Sequence, residues 1–499
     1  MIHSTRNRDG SNFWQQEQNM NLNGTIAKPI PVLSTVLSVC FYLTGQADDP
    51  RRDIQTKLAE VCRTHDVPGM VAAVENGKGL IAAECFGLRK RGTSDNIELS
   101  DRFPIGSNTK SMTATLAAVL VESGKIDWDT TIGDVWPSAS DKDIHPKLRT
   151  VTLDQLLSHQ SGLPANISDV SESAWGSFLE EKQSPTLERR RMLKLALSQA
   201  PAQPQGKLFY SNLGYAVASA MLETRAKEPF ESLMKRYIFD PLKMRTANFR
   251  SKQSAEKLQP PLLWGHKDGK PVDPRTIGAE NPSVYAAAGT IHLSIEDYAK
   301  YARWQLAGKP APVLRTKAVF DHLHEPLVDK AVNEKYGCGW ICLNTPLGPA
   351  LTHAGSNTNT FAVIWILPES DLAVIACTNS GESQAFPACD AMVAHLIQTG
   401  ATRGPNPDAA QPGDVKPERL VGRYQLTPNF IFDVNYKDGH LMVGITNQPT
   451  QEVFADSPTK WSYRGVAAQL EFHLRATGPA HALTLHQNGR AQKASRIRE

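Results

Sequence analysis

Polar and apolar positions fall into two textures along the chain. Up to about position 400, helical and strand periodicities alternate. Positions 71–74 and 79–86 are apolar and β-rich, and Asn76-Gly77 lies between them, which predicts two strands joined by a tight turn. Positions 111–122 are rich in Ala and Leu and stop at Gly124, which predicts a helix; 213–226 predicts another. Positions 360–367 and 372–378 are continuous apolar runs separated by Pro368-Glu-Ser-Asp371, which predicts a strand pair with a turn. Strands at both ends with helices between them imply an α+β layered domain, helix-rich and long-looped between 130 and 310.

The second texture follows a break. Residues 400–417 hold four prolines and three glycines, the composition of a linker. Beyond it, 420–427, 430–436, 440–445, 461–463, 469–474 and 482–486 alternate or run apolar over short lengths. Turn signals at Asp438-Gly439, Asp456-Ser457-Pro458 and Asn488-Gly489 separate them. Short strands at this spacing predict a small all-β barrel or sandwich.

The N-terminus adds a third element. Arg6, Arg8 and Lys28 precede an apolar stretch at 30–43, and small residues Gly45 and Ala47 occupy the −3 and −1 positions of a cleavage site. The pattern is that of a secretory signal peptide, with Met20 an alternative start, and the stretch is short for a membrane span. Val39 before Cys40 fits a lipid-anchor site poorly. The expected organisation is a signal peptide at 1–47, a catalytic domain at 48–400, a linker at 401–416 and a β-barrel at 417–499. The expected product is an exported protein, periplasmic or secreted, with no stable membrane span after cleavage.

Composition narrows the partners. With 499 residues, 40% hydrophobic and 21% charged, the chain is globular and large enough for two or three domains. A net charge of +3 with dispersed basic residues lacks the stripe that nucleic-acid binding needs, so a small-molecule or peptide substrate is expected. Six cysteines remain after position 47: Cys62, Cys85, Cys338, Cys342, Cys377 and Cys389. Cys338 and Cys342 are expected on one face of a strand as buried thiols. There is no His-Glu-x-x-His, and His322 and His324 do not form a ligand helix, so no metal or other cofactor is expected. The absence of Gly-x-Ser-x-Gly argues against an α/β-hydrolase.

Three clusters carry candidate chemistry. Ser107 and Lys110 lie three residues apart at a predicted helix start, on one face, where the lysine can take the serine proton. The same spacing recurs at Ser232/Lys235, Ser254/Lys257 and Ser457/Lys460, where a solvated helix face explains it equally well. Only Ser107 has a glycine before it and a long apolar helix after it. The second cluster is Tyr210-Ser211-Asn212. A tyrosine beside a lysine can carry a proton, and Asn212 can bond both the lysine and a substrate carbonyl. Alternatively, Ser211 or Asn212 caps the helix that follows and Tyr210 packs in the core. The third is His353-Ala-Gly-Ser356, between predicted strands near 350 and 360. Glycine there lets backbone approach a ligand, and the Ser356 N–H can form half of an oxyanion hole, unless the segment is only a strand-end turn.

In this order the clusters resemble the serine β-lactamase and penicillin-binding-protein superfamily. The nearer likeness is to its class C and esterase-like branch, in which Tyr-x-Asn stands for Ser-x-Asn. LLSHQSGLP at 156–164 is similar to that family's LLSHTSGLP, and Trp128 to Asp134 also fits; the likeness spans roughly residues 55–395. It implies a β-lactamase-like antiparallel sheet flanked by helices with a helical subdomain. It also implies an acyl-enzyme on Ser107, with Lys110 and Tyr210 moving the proton and Asn212 holding lysine and substrate. The amides of Ser107 and Ser356 would form the oxyanion hole, and His353 stands where the family usually has the lysine of Lys-Thr-Gly. The tail resembles the lipocalin-like domain that often follows such hydrolase domains; shaping or covering the active-site mouth is one hypothesis for it.

The departures matter. A histidine at 353 is mostly neutral at pH 7, and Ala354 lacks the usual hydroxyl. The expected function is therefore a serine hydrolase of small esters, amides or D-amino-acid peptides. A true β-lactamase or D,D-peptidase is the alternative within that class. A non-catalytic binder of peptidoglycan fragments is the alternative outside it.

Overall fold

The structure is a computed structural model that describes residues 50–402 and 416–497, apart from position 251 and short loop segments of the barrel. The predicted signal peptide and most of the predicted linker lie outside the described residues.

One eight-stranded antiparallel sheet organises the first domain. Its strands are β1 (Gly69–Asn76), β2 (Gly79–Gly87), β3 (Val328–Ala331), β4 (Glu334–Tyr336), β5 (Ile341–Thr345), β6 (Gly348–Ser356), β7 (Phe361–Leu367) and β8 (Leu372–Thr378). The spatial order is β2-β1-β8-β7-β6-β5-β4-β3, so the first hairpin joins the last strand of the domain. Met70 pairs with Thr378 and Val74 with Val374 across that long-range junction.

Both faces of the central strands are covered, which is why β1, β7 and β8 read as continuous apolar runs. Successive residues serve different cores. Val71 and Ala73 face the larger core, built with helix α2 (Thr109–Glu122) and helix α3 (Asn212–Ala226). Met70, Ala72 and Val74 face a second core with helix α1 (Pro50–Thr64) and helix α5 (Ala385–Thr402). Helix α4 (Ile295–Leu306) lies on the side of the larger core. The heptad-like spacing of Ile54, Leu58, Val61 and Cys62 in α1 was an available signal; it is the buried stripe of that helix.

The predicted α+β architecture is therefore present, with differences in detail. Helix α2 begins at Thr109, two residues earlier than its hydrophobic pattern suggests, after a 3-10 turn at Gly106–Asn108. The 353–356 cluster lies within β6 instead of between strands. Cys338 sits in the turn before β5, not on a strand with Cys342, because Gly339 with φ +77 breaks the extended backbone there.

The C-terminal domain is a closed antiparallel barrel of eight strands, β9 (Gly422–Thr427) to β16 (Arg490–Arg496). Its interior contains Tyr424, Phe432, Val434, Leu441, Val443 and Phe472. Six of these strands are visible in the sequence pattern. The other two are less legible: Gln451–Ala455 is a strand of only five residues, and β16 has only Ala491 and Ala494 as apolar residues, of which Ala494 is buried. Closure removes the exposed edges that an open sheet of this size would have.

Candidate active site

Ser107 is placed by a close meeting of two backbones. Gly106 has φ +53, a conformation that side chains disfavour. A Cβ at Gly106 would lie 2.4 Å from the Ser356 carbonyl. A Cβ at Gly355 would lie 2.2 Å from the Ile105 oxygen and 2.6 Å from the Ser107 nitrogen. Two glycines thus let the Ser107 turn lie directly on the end of β6. Asn108 fastens the turn by donating Nδ2–H to the Ala362 carbonyl at 3.1 Å.

Lys110 is fully buried and fixed by three bonds. Its Nζ donates to Ser107 Oγ at 3.0 Å, to Asn212 Oδ1 at 2.8 Å and to the Ala288 carbonyl at 2.9 Å. A fixed ammonium desolvated in this way stands one hydrogen bond from the serine hydroxyl. The other three spacings do not reproduce this. Ser232, Lys235, Ser254 and Lys257 are exposed, Lys235 pairs with Asp240, and Ser457 lies outside the described residues.

The Tyr210–Asn212 segment serves both readings of its sequence. Ser211 is the N-cap of α3, its Oγ accepting from the Gly214 N–H at 3.0 Å. Asn212, the next residue, turns its amide into the site: Oδ1 accepts from Lys110, and Nδ2 donates to Asn166 Oδ1 at 2.9 Å. Asn166, buried and unremarked in the sequence, fixes which way the Asn212 amide faces. The Tyr210 ring is partly buried, with Lys110 Nζ 4.8 Å from its centroid.

His353 is buried on β6 and turned towards Tyr336. The Tyr336 hydroxyl donates to His353 Nε2 at 3.1 Å, and His353 Nδ1–H donates to the Ala354 carbonyl at 2.6 Å. Burial and the nearby Lys110 charge hold its pKa down to about 3, so the ring is neutral at physiological pH. It supplies no cation for a substrate carboxylate. Ser356 is also buried and its backbone adjoins Gly106, which brings its amide beside the nucleophile turn.

His159 adds a group that the motif reading left without a role. It is buried and its φ is +62. Its ring lies against Tyr210, Tyr215 and Tyr336, with centroids 4.1, 5.3 and 4.8 Å away.

A small cleft, open in part to solvent, adjoins the Ser356 end of β6 and is lined by Arg250, Glu280, Asn357, Asn359, Thr360 and Pro104, among others. Arg250 and Glu280 form a largely buried ion pair there.

Asp154, His322 and Cys338 bring three potential ligand atoms within 4.8 Å of one another. The fold stacks His322 on Trp128 and bonds its Nε2 to Asp154 Oδ1 at 2.9 Å. Burial disfavours its charge, but the hydrogen bond and charge of Asp154, with Glu325, leave its pKa raised. These pairings engage both ring nitrogens.

The family model described as Beta-lactamase matches residues 51–398. The chain belongs to the beta-lactamase family. Among curated proteins it is 29% identical over 260 residues to the unguisins hydrolase ungD of Aspergillus violaceofuscus (strain CBS 115571). That match covers 50% of this chain and 44% of the relative, so the chain spans less than half the length of that hydrolase. It is 21% identical over 467 residues to penicillin-binding protein 4* of Bacillus subtilis (strain 168), covering 90% of this chain and 99% of the relative. A D-stereospecific amidohydrolase from Streptomyces sp. superposes with a TM-score of 0.53 at 22% identity, covering 68% of this chain and 98% of that one. The beta-lactamase-family chain is a serine hydrolase with a β-lactamase-like α+β domain and a C-terminal β-barrel.

Proposed function

We propose that this protein hydrolyses small esters, amides or peptides containing D-residues through an acyl-enzyme on Ser107. The observation that carries the reading is the buried Ser107–Lys110–Asn212 chain at 3.0 and 2.8 Å. Ser107 Oγ attacks the substrate carbonyl as its proton passes to the deprotonated Tyr210 oxygen, which the adjacent Lys110 ammonium stabilises. The backbone amides of Ser107 and Ser356 stabilise the negative charge on the carbonyl oxygen. The same proton returns to the leaving amine or alcohol, and water then releases the acid and restores Ser107.

The neutral, inward-turned His353 argues against efficient recognition of the β-lactam carboxylate. The Streptomyces relative's D-stereospecific amidase character supports the D-residue class. The penicillin-binding relative keeps D,D-peptidase activity as the second reading.

The deciding experiment is to react the protein with a fluorophosphonate and, separately, with a penicillin, and to map the adduct by mass spectrometry. A label on Ser107 that Ser107→Ala abolishes supports the reading. No label with either reagent favours a non-catalytic binder of peptidoglycan fragments. Turnover of a p-nitrophenyl ester, a D-alanyl anilide and a chromogenic cephalosporin then ranks the substrate classes. Export is a separate proposal resting on residues 1–47, checked by the N-terminal sequence of the mature protein. Shaping of the mouth by the barrel is another; unchanged kinetics after deletion of 417–499 would remove it.

A further inference from the structure

His159 reaches the Tyr210–Asn212 segment through three different kinds of contact. Its main-chain oxygen accepts from the Phe209 N–H at 2.8 Å. Its side-chain Nδ1 accepts from the Ser211 N–H at 3.0 Å. Its ring face lies against the Tyr210 ring. The two backbone groups it holds are the ones immediately before and after Tyr210.

We propose that His159 is a positioning residue that fixes the Tyr210 ring beside Lys110, acting through its Nδ1 acceptor and its ring face. The inference rests on the proposed role of Tyr210 in proton transfer and adds a group that touches neither substrate nor the reacting atoms.

The chemistry of the position selects histidine. An acceptor is needed one bond beyond Cβ and Cγ to meet the Ser211 N–H. A flat face is needed for Tyr210. The backbone must also sit at φ +62, where His, Asn and Asp are several-fold enriched among non-glycine residues. Phenylalanine offers the face without the acceptor, and asparagine offers the acceptor and the backbone without the face. Because Nδ1 accepts a backbone N–H, the proton of the neutral ring lies on Nε2, which has no hydrogen-bond partner among the described residues. Burial, followed by the charge of Lys110, keeps the ring neutral by lowering its pKa well below the usual value. A second cation is thereby kept away from Lys110.

The neighbouring residues of the same loop hold the rest of the segment. Ser211 Oγ donates to the Pro164 carbonyl at 2.6 Å, and the Asn212 N–H donates to the Ala165 carbonyl at 2.8 Å. Loss of the His159 side chain therefore removes the Ser211 acceptor and the ring beside Tyr210 while Asn212 stays bound, which separates positioning of Tyr210 from collapse of the site.

The test is a double-mutant cycle on the full chain, read as the rate of Ser107 labelling by a fluorophosphonate and as kcat and KM on an ester substrate. Active-site titration normalises each variant to its folded fraction. His159→Phe is expected to lower the labelling rate and kcat roughly 100-fold, the cost of a small misplacement of a catalytic group, with KM little changed. His159→Asn, which keeps the acceptor and suits the backbone, is expected to lose less than about tenfold on the same scale. In a Tyr210→Phe background, neither His159 change should cost more than about twofold further, because coupled groups are non-additive. Full additivity with Tyr210→Phe, or labelling rates of both variants equal to the parent, would overturn the proposal. A parent protein with no label on Ser107 would instead remove the underlying hydrolase reading, so the two failures are distinct.

Discussion

Asn212 Oδ1 accepts from Lys110 Nζ at 2.8 Å across 102 positions of sequence, and its Nδ2 is held by Asn166. Only the oxygen can face an ammonium, so Asn166 sets the useful orientation of the amide. Asn212→Leu leaves Lys110 its bonds to Ser107 and Ala288 but frees its third direction. The expected result is a fall in kcat of about 100-fold, with the fold retained, measured by ester turnover and circular dichroism. Asn166→Ala should produce a smaller loss in the same direction, because the Asn212 amide can then rotate.

Gly355→Ala tests the approach of β6 to the nucleophile turn. The added methyl would fall 2.2 Å from a backbone oxygen and 2.6 Å from the Ser107 nitrogen, neither of which can move cheaply. Displacement of Ser107 should reduce fluorophosphonate labelling at least tenfold, while overpacking costs about 1–3 kcal/mol in urea unfolding. Unchanged labelling would show that the two backbones do not define the site.

His353 gives a pH dependence with a definite sign. Its folded-state pKa is depressed to about 3, while the unfolded chain protonates near 6.5. Below 6.5 the unfolded state binds the extra proton, so stability falls as pH drops from about 6.5 towards 3 and levels off below that. Between pH 7 and pH 5 this one group contributes a loss of about 2 kcal/mol. His353→Gln should reduce the drop in unfolding free energy over that interval by a comparable amount, measured by denaturant titration at both pH values.

The cysteines make a simpler prediction. All six described cysteines are free, and burial pushes the Cys62 thiol up to about 12 and holds Cys338 and Cys389 well above the usual range. Reductant should leave the melting temperature unchanged, and thiol reagents should react with the native protein slowly. A fall in melting temperature on reduction would reveal a disulfide.

The buried ion pairs of Arg189 with Glu223 and Glu231 join three helices, Pro185–Leu197, α3 and Phe230–Met234. Arg189→Ala leaves two carboxylates without their cation in a mostly buried setting. A loss of about 3 kcal/mol or more in unfolding free energy is expected, with the specific activity of the folded fraction preserved.

Local pattern alone determined much of this protein. Continuous apolar runs marked β7 and β8, because strands covered on both faces need no polar side. Alternation marked most of the barrel, and the Gly-Ser turn before an Ala-rich helix marked Ser107. Such signals are legible because each depends on neighbours within a few residues. Strand β16 was not legible, since its place is set by closing the barrel and not by an apolar period of its own.

Only the tertiary structure decided which Ser-x-x-Lys pair is buried, which way Asn212 faces, and that burial and Lys110 push the His353 pKa down further. Each depends on atoms brought together from distant segments: Asn166 on Asn212, Tyr336 on His353, and His159 under Tyr210. Hydrogen-bond direction and desolvation act over a few ångströms in space. Sequence spacing records that proximity within a helix turn or a hairpin, and loses it across a hundred residues.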